Sequence, residues 1–387
     1  MGEIGVMAGS TGSAALPGPA VRPDEVEPFL AGAAFPAGGG ASYPRADPRG
    51  RDRLPADTWG TATIPVGVRL EFVGDAPEVE IGYVTLTGDL GYRGTGAGTA
   101  FSLWRGGVPV SEEPAAVGEG SLRLATGLGS PFRVSGVSPS AVPDGRFTPA
   151  AAFSPTDRCI VYLPEGMKPT VLSITAIGGD IEPAPARPRW IAYGDSIAEG
   201  WTASSPANAW PAVAGRRFDF DVVNMGYAGA ARGEIVSAEQ IASLGGPVAP
   251  ASSPAPGVAV ISITHGTNCW TRVPHSEGMV FEGTRAFLSI LREGHPGVPI
   301  VVASPVIRPD AESTRNRLGA SLADLRRAIE AAASEEISAG DRLISLLPGA
   351  SMIGPEHLAD GIHPNDAGHQ IIAETIGAVA VALTRAA

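Results

Sequence analysis

The chain has 387 residues, a formal net charge of −12 and a hydrophobic content of 44%. This apolar content excludes wholesale disorder, and the length predicts about two domains. The negative charge disfavours nucleic acid and anionic membrane surfaces as partners. The first residues carry no basic segment ahead of an apolar stretch, which favours a cytoplasmic protein. The sequence has no apolar run of about 18 residues, so we predict no membrane helix.

The first half of the chain is predicted to be rich in β-strands. Residues 1–23, rich in Gly, Ala, Ser and Pro, predict a flexible N-terminus, and residues 24–182 predict an antiparallel, jelly-roll-like β-sandwich. Short segments of alternating polar and apolar residues, such as residues 68–73, recur between turns without a helical period. On the same ground residues 61–64 are predicted as a strand, and Gly106–Gly107 as a hairpin turn.

The pattern changes after a proline-rich segment at residues 183–188, which predicts a stiff linker. Residues 189–387 predict a three-layer α/β domain with a parallel sheet, because continuous apolar runs typical of buried strands alternate with helical patterns. The apolar runs are residues 189–193, 222–224, 258–263 and 300–303. The clearest helices are predicted at residues 321–336, with Ser321 as the N-cap, and at residues 366–385.

Two segments of the predicted α/β domain carry the parts of a serine nucleophile system. Ser196 lies in Gly194-Asp195-Ser196-Ile197, directly after an apolar run, at the sheet edge where open α/β sheets bind ligands. A serine nucleophile needs an adjacent base, usually a histidine that is oriented by a carboxylate. In Asp360-Gly361-Ile362-His363 the aspartate can hold the imidazole Nδ1 while Nε2 faces the serine. Taken alone, each segment also fits an ordinary capping turn.

Three residues are predicted to donate hydrogen bonds to the oxyanion that forms during acyl transfer: Ser196, Gly226 and Asn268. Gly226 ends an apolar run, where its backbone N–H can point into the site. Asn268 lies just past the next run, and its side-chain amide is a second possible donor. Each of these two residues alone also fits a turn without any catalytic role.

A metal site is the alternative that His357 and His369 raise, because both lie close to His363. No further cluster of Cys, His or carboxylate residues accompanies them in the sequence, so we predict no metal. The two cysteines, Cys159 and Cys269, are too few for a disulfide scaffold. We predict that they are free, buried thiols rather than a pair.

Together the four segments resemble the SGNH (GDSL-type) hydrolase superfamily. The four residues that give the superfamily its name match, in chain order, Ser196, Gly226, Asn268 and His363. The resemblance implies that Asp360 completes a Ser-His-Asp triad in a three-layer domain. Two positions depart from the family pattern, since Ile197 replaces the usual leucine and Cys269 replaces the usual aspartate after the asparagine. The G-x-S-x-G turn of the α/β-hydrolases is absent, which disfavours that fold.

The β-rich first half resembles the sandwich domain that precedes some SGNH domains, in carbohydrate esterases and in salicylyl acyltransferases of tetracycline biosynthesis. The second resemblance implies a serine-dependent acyltransferase with an aromatic, salicylyl-like acyl group, a coenzyme A thioester as co-substrate and no bound cofactor. The expected acceptor is a hydroxyl of a polyketide or sugar. The alternative is an SGNH esterase such as a carbohydrate deacetylase, in which water replaces the acceptor. A carbohydrate-binding protein with an inert second domain is disfavoured by the intact catalytic set.

Three aromatic residues close to the motifs are predicted to line the substrate site. Trp201 lies five residues after Ser196, Tyr227 follows Gly226, and Trp270 lies two residues after Asn268. Aromatic walls bury flat rings and exclude water, which suits an aromatic acyl group and a polycyclic acceptor. Packing of the surrounding loops is the alternative role for Trp201 and Trp270.

Overall fold

The computed structural model describes residues 26–88, 98–128, 153–245, 257–271 and 273–386. The predicted flexible N-terminus, residues 1–23, lies outside the described residues. The described strands are β1 (Leu30–Ala31), β2 (Arg69–Gly74), β3 (Glu78–Thr85), β4 (Ala100–Arg105), β5 (Val108–Pro114), β6 (Gly118–Ala125), β7 (Cys159–Tyr162), β8 (Pro169–Ile177), β9 (Ile181–Pro183), β10 (Arg189–Gly194), β11 (Asp221–Gly226), β12 (Val258–Thr264), β13 (Ile300–Ala303) and β14 (Ile344–Leu347). The described α-helices are α1 (Ala56–Ala62), α2 (Ser196–Glu199), α3 (Trp210–Phe218), α4 (Ile235–Ser243), α5 (Glu277–Gly294), α6 (Leu322–Ser338) and α7 (Asp366–Ala386).

Strands β1 to β9 form two antiparallel sheets that face each other. One sheet has the order β1-β2-β7-β4-β5, with β9 beside β2, and the other has the order β6-β3-β8. Successive side chains of a strand point to opposite faces, so alternate residues of each strand are available for the space between the sheets. That core takes apolar residues from both sheets, including Leu70, Phe72, Val79, Ile81, Phe101, Leu103 and Leu124.

The hairpin turn predicted at Gly106–Gly107 joins β4 to β5, and both glycines have positive φ, at 56° and 85°. The predicted strand at residues 61–64 is wrong, because the chain there completes α1. The Thr61 hydroxyl donates to the carbonyl of Asp57 at 2.9 Å, as a helical threonine does. Ala62 is buried in the core of the second half of the chain, so long-range packing decides this segment against the local alternation.

Strands β10 to β14 form one parallel sheet with the order β11-β10-β12-β13-β14. Ile191 and Tyr193 of β10 pack into the layer that contains α4, α5 and α6. Trp190 and Ala192 pack into the opposite layer, which contains α3 and α7. The predicted three-layer α/β architecture with a preceding antiparallel sandwich is therefore confirmed. Ser321 caps α6, accepting from the N–H of Asp324, also as predicted.

One described helix, Asp366–Arg385, is long and apolar enough to cross a membrane by length and composition alone. Its residues Ile372, Ala373 and Ile376 are buried in the layer that covers the parallel sheet. A core helix that covers a central sheet has the same apolar composition as a membrane helix, and the packing of α7 accounts for its hydropathy.

The segment predicted as a linker, residues 183–188, is bound to residues of the first half of the chain. The N–H of Ala184 donates to the carbonyl of Glu71 at 3.2 Å, and Arg158 Nη2 donates to the carbonyl of Pro185 at 2.7 Å. Arg187 is buried and pairs with the Glu71 carboxylate. The boundaries at residues 182 and 189 stay a prediction, but the segment between them is packed rather than a free spacer.

Buried ion pairs join the first half, residues 26–182, to the second half, residues 189–386. Arg69 on β2 donates from Nη2 to Asp221 Oδ1, at the start of β11, at 2.7 Å. Arg45 donates from Nη2 to Glu199 Oε2, at the end of α2, at 3.0 Å. Both arginines and both carboxylates are buried, so each pair joins opposite charges of the two halves away from solvent.

Candidate active site

Ser196 lies at the point where β10 ends and α2 begins. The Asp195 side chain caps α2 by accepting the Ile197 N–H at 3.0 Å, which fixes the turn that presents Ser196. The backbone N–H of Ser196 has no acceptor within the described part of the chain. Ser196 is 6% exposed, so the residue is buried where the strand ends, and its N–H is free of an acceptor among the described residues.

His363 connects Ser196 to Asp360 through two hydrogen bonds. His363 Nε2 lies 2.8 Å from Ser196 Oγ, and Nδ1 lies 2.8 Å from Asp360 Oδ2. The other oxygen of Asp360 accepts the N–H of Ile362 at 3.0 Å and the N–H of His363 at 2.8 Å. The predicted nucleophile, base and carboxylate, which are up to 167 residues apart in the sequence, are therefore hydrogen-bonded in one row.

The Asp360 carboxylate is held in its ionised form. Burial raises the pKa of Asp360, but the hydrogen bonds from the side chain and backbone of His363 and from Ile362 outweigh it, so this pKa lies below its usual value. An ionised carboxylate at Nδ1 keeps the imidazole proton on that nitrogen. Nε2 is then the unprotonated nitrogen that faces the serine hydroxyl.

Asn268 follows β12 in the short turn Thr267–Cys269, which Asp195 ties to the Ser196 turn. The Asp195 carboxylate accepts a backbone hydrogen bond from Thr267 as well as from Ile197. Burial raises the pKa of Asp195 to about 6 despite these hydrogen bonds. Asn268 Nδ2 donates to the carbonyl of Ala231 at 3.2 Å, which orients the amide and leaves its second hydrogen for a ligand.

The prediction that Gly226 offers its N–H to the site is wrong. Gly226 still belongs to the β10–β11 ladder, opposite Gly194, and its N–H donates to Asn224 Oδ1 at 2.9 Å. A Cβ at Gly226 would lie 2.3 Å from the backbone nitrogen of Glu199. This position therefore requires glycine because β11 and α2 approach closely, and not because its N–H binds a ligand.

Among the described residues, Gly229, three residues further along the chain, has the free N–H that Gly226 lacks. It lies in the loop after β11 with φ +67°, and a Cβ placed on it would meet nothing within 4 Å. No residue in the described ranges accepts a hydrogen bond from its N–H. The loop is anchored to α2 by the bond from the Ala228 N–H to Glu199 Oε2, at 3.1 Å. The second glycine of Gly226-Tyr-Ala-Gly229 was the sequence signal, since loop glycines often adopt positive φ.

The three predicted aromatic residues have different surroundings. The ring of Trp201 lies beside the His363 ring, with centroids 5.4 Å apart, so it flanks the site. Tyr227 is fully buried, and its hydroxyl donates to the carbonyl of Arg45 at 2.8 Å. The prediction that Tyr227 contacts substrate is therefore wrong, because the residue after β11 turns into the core. Trp270 is half-buried and donates from Nε1 to the carbonyl of Thr314 at 2.7 Å. Its substrate role stays a prediction.

Comparison with known families bears on the second half of the chain. Residues 192–371 match the profile of the GDSL-like lipase/acylhydrolase family. These residues form a GDSL/SGNH-type lipase/acylhydrolase domain. The match contains Ser196, Asn268, Asp360 and His363, and it supports an enzyme of the esterase or acyltransferase class. Among curated proteins, no sequence matches this chain.

Solved structures resemble the chain over both halves, beyond the GDSL/SGNH domain. A putative GDSL-like lipase from Bacteroides ovatus is 18% identical, with a TM-score of 0.70 over 92% of this chain and 96% of its own. The salicylyl-acyltransferase SsfX3 from a tetracycline biosynthetic pathway is 21% identical, with a TM-score of 0.68 over 91% and 94%. A family two carbohydrate esterase from Clostridium thermocellum, solved with cellohexaose, is 15% identical, with a TM-score of 0.52 over 81% and 90%. At these identities the likeness shows a shared fold.

The histidines that raised the metal alternative have structural partners in the GDSL/SGNH domain. His369 Nδ1 accepts the N–H of Trp210 at 3.3 Å, and Nε2 faces the carbonyl of Trp201 at 3.1 Å. His357 Nδ1 accepts the N–H of Gly354 at 3.1 Å. Within the described ranges no group of three or more His, Cys, Asp or Glu side chains is arranged to hold a metal ion. Metal independence stays a prediction.

Both cysteines are buried and unpaired, as predicted. Cys269 occupies the position after Asn268 where the family usually has aspartate. Its Sγ donates to the carbonyl of Arg232 at 3.7 Å, and burial raises the pKa of its thiol well above the usual value. The protonated thiol therefore supports the turn as a neutral donor and does not act as a nucleophile.

Proposed function

We propose that this protein is a serine-dependent acyltransferase that moves an aromatic, salicylyl-like acyl group from a coenzyme A thioester to a hydroxyl of a tetracycline-type polyketide. The observation that carries the acyl-transfer chemistry is the hydrogen-bonded row of Ser196, His363 and Asp360, at 2.8 Å in each step. The choice of a transferase is supported by the likeness to SsfX3, which covers 91% of this chain, the β-sandwich included. In this proposal the enzyme acts in the cytoplasm, with no bound cofactor.

In the first step the Ser196 hydroxyl gives its proton to His363 Nε2, and Oγ attacks the thioester carbonyl carbon. The carbonyl π electrons move to oxygen, and the resulting tetrahedral species carries an oxyanion. When this species collapses, the C–S bond breaks and His363 gives its proton to the departing thiolate, which leaves an acyl-Ser196. Asp360 stays ionised throughout and stabilises the imidazolium.

In the second step the acceptor replaces the thiol. His363 Nε2 takes the proton of the acceptor hydroxyl, whose oxygen attacks the acyl-Ser196 carbonyl. Collapse breaks the bond from the carbonyl carbon to Ser196 Oγ, and His363 returns the proton to Oγ. The enzyme is restored, and the ester on the acceptor is the product.

Three donors face the oxyanion in this proposal: the N–H of Ser196, the N–H of Gly229 and Nδ2 of Asn268. The first two have no acceptor in the described residues, and Asn268 keeps one amide hydrogen beyond its bond to Ala231. A single donor of this kind contributes about 3–4 kcal/mol to the transition state. Gly229 thus takes the role that the sequence had assigned to Gly226.

Hydrolysis by the same residues is the second candidate function, as in a carbohydrate deacetylase. The observation in its favour is the solvent exposure of Asp360, whose side chain is 44% exposed beside His363. Water that reaches this pair can take the place of the acceptor hydroxyl, because the triad treats both alike. What separates the two functions is the exclusion of water from the acyl-enzyme.

Mass spectrometry of the intact protein separates these functions. The protein is incubated with salicylyl- or acetyl-coenzyme A, and we expect wild type to gain the mass of one salicylyl group from the first donor and Ser196→Ala to gain none. Ser204→Ala is the matched control, because Ser204 lies in a nearby loop with its hydroxyl bonded to Asp366, and it should acylate normally.

The acyl-enzyme is then offered a polyketide alcohol or buffer alone. Faster discharge by the alcohol supports the transferase, and equal discharge in buffer supports the esterase. Turnover by Ser196→Ala comparable to wild type would contradict the serine mechanism altogether.

A further inference from the structure

Glu199 is a buried carboxylate that contacts both sides of the proposed catalytic row. It ends α2, three residues after Ser196, and it is fully buried. Its Oε1 accepts the indole N–H of Trp201 at 3.0 Å, and the Trp201 ring lies against His363. Its Oε2 accepts the N–H of Ala228 at 3.1 Å, one residue before Gly229. The Glu199 carboxylate therefore binds both Trp201, which lies against His363, and the loop that carries Gly229.

Arg45 supplies the positive charge that this carboxylate needs, and it comes from the first half of the chain. Its Nη2 donates to Glu199 Oε2 at 3.0 Å and to the carbonyl of Thr61 at 2.7 Å, and its Nε donates to the carbonyl of Ile64 at 2.7 Å. Its Nη1 donates to the carbonyl of Gly226. The guanidinium thus spans the first half of the chain, the end of β11 and the end of α2.

The loop after β11 is held at every residue that precedes Gly229. The carbonyl of Gly226 accepts from Arg45, and the hydroxyl of Tyr227 donates to the Arg45 carbonyl at 2.8 Å. The N–H of Ala228 is bound to Glu199. The next N–H along the chain is that of Gly229, which is left free in the described part of the protein.

We propose that Arg45 and Glu199 are positioning residues for acyl transfer, which aim the Gly229 N–H at the oxyanion and hold Trp201 against His363. The inference rests on the proposed function, because it assumes chemistry at Ser196. It assigns the first half of the chain a part in catalysis, through Arg45, that does not require contact with substrate. Arg45 and Glu199 touch no reacting atom. They act through the loop that carries Gly229 and through the Trp201 side chain.

The geometry explains why this position needs a carboxylate. Glutamine has nearly the same shape but only one acceptor oxygen, and its amide nitrogen is a donor. If the oxygen faces Arg45 and Ala228, the amide hydrogens face the indole N–H of Trp201. If the side chain is flipped, they face Arg45 and the loop. In either orientation the amide N–H groups face another hydrogen-bond donor. The repulsion displaces Trp201 in the first case and the loop before Gly229 in the second.

The test compares Glu199→Gln and Arg45→Lys with wild type in steady-state thioester turnover. Lysine keeps the charge of Arg45, but a single ammonium cannot reach the four acceptors that the guanidinium binds. We expect kcat to fall roughly 10- to 100-fold in each variant, since a displacement of about 1 Å costs up to 10²-fold. KM should change less than about threefold, because no substrate contact is removed.

A second measurement reports on the oxyanion site itself. A p-nitrophenyl alkylphosphonate phosphonylates Ser196 and leaves a tetrahedral adduct with its oxygen among the three donors. Its inactivation rate should fall by about the same factor as kcat in both variants. A role confined to global stability would leave this rate unchanged in the folded protein at a temperature below unfolding.

Arg69→Lys is the matched control. Like Arg45, Arg69 is a buried arginine of the first half that binds a buried carboxylate of the second half. Its partner Asp221 starts β11, whereas Gly226, whose carbonyl Arg45 binds, ends that strand. Five residue steps along β11 separate the two by about 16 Å. We expect Arg69→Lys to lose thermal stability and to keep kcat within about twofold.

The proposal is overturned if folded Glu199→Gln or Arg45→Lys keeps wild-type kcat, if KM carries the loss, or if Arg69→Lys loses kcat equally. If Glu199→Gln does not fold, Arg45→Lys decides alone by the same criteria. Failure of the serine mechanism, on which the proposed function rests, is recognised separately, since Ser196→Ala would then remain active. An inactive Ser196→Ala together with a fully active Glu199→Gln refutes only the positioning role.

Discussion

Replacing Gly226 by alanine tests the close approach of β11 to α2. The new Cβ would lie 2.3 Å from the nitrogen of Glu199 and 2.8 Å from the carbonyl carbon of Ala198. Both are backbone atoms, which cannot swing away as a side chain can. An ordinary contact of about 3.5 Å requires the strand end and the helix to separate by roughly 1 Å. Because α2 begins with Ser196, this separation moves the nucleophile relative to His363.

A displacement of this size predicts a fall in kcat of about 10²-fold. Overpacking of a buried site costs about 1–3 kcal/mol, which corresponds to a fall in melting temperature of roughly 2–10 °C for a domain of this size. The assay is the steady-state hydrolysis of an activated ester such as p-nitrophenyl acetate, together with a thermal melt of the same sample.

Gly229→Ala is the companion variant that separates crowding from backbone strain. A Cβ there meets nothing within 4 Å, although φ is +67°, so only strain of about 1–2 kcal/mol is expected. Its kcat should fall less than that of Gly226→Ala, since its N–H remains in place. A Gly226→Ala protein with wild-type kcat and melting temperature would refute the packing argument.

Four further outcomes follow from the site. Asn268→Ala should lower kcat by about 10²- to 10³-fold and keep measurable activity, because one of three oxyanion donors is lost; equal kcat in variant and wild type would remove Asn268 from the site. Because burial raises the pKa of Asp195 to about 6 from its usual 3.8, its native state keeps a proton that the unfolded state loses. The stability of wild type relative to Asp195→Asn should therefore fall by about 2 kcal/mol between pH 4 and pH 7 in denaturant titrations, and a difference independent of pH would contradict this. Cys159 and Cys269 should react with a thiol reagent only after unfolding, since burial raises the pKa of both thiols; rapid labelling of the native protein would show an open core. A chelator should leave ester hydrolysis unchanged, and activity that is lost with EDTA and restored by zinc would revive the metal alternative.

The parts of the site that could be predicted from the sequence are those encoded locally. Ser196 follows an apolar strand, and Asp360 precedes His363 by the three residues that let its carboxylate reach Nδ1. The choice between Gly226 and Gly229 was not local, because it depends on how far the β10–β11 ladder extends before the chain turns. Tyr227 was misassigned for the same reason, since a residue directly after a ladder can still point into the core.

Arg45 and Glu199 carried no sequence signal at all. They are 154 residues apart, and neither lies in a motif that predicts a partner. A buried ion pair of this kind arises from the packing of two separately predicted regions, and the sequence pattern of each region gives only its own fold. The strand predicted at residues 61–64 failed likewise, because Ala62 packs against the other half of the chain.

The arginines that cross between the halves limit how this protein can be cut or recombined. The family match begins at residue 192, but a fragment that starts there would lack Arg45 and Arg69, the partners of the Glu199 and Asp221 carboxylates. Chimeras that exchange the sandwich with that of a relative would need to transfer both arginines, in register, to keep these two ion pairs. The two halves are thus expected to evolve as one unit, with substitutions at either end of an ion pair matched by changes at the other.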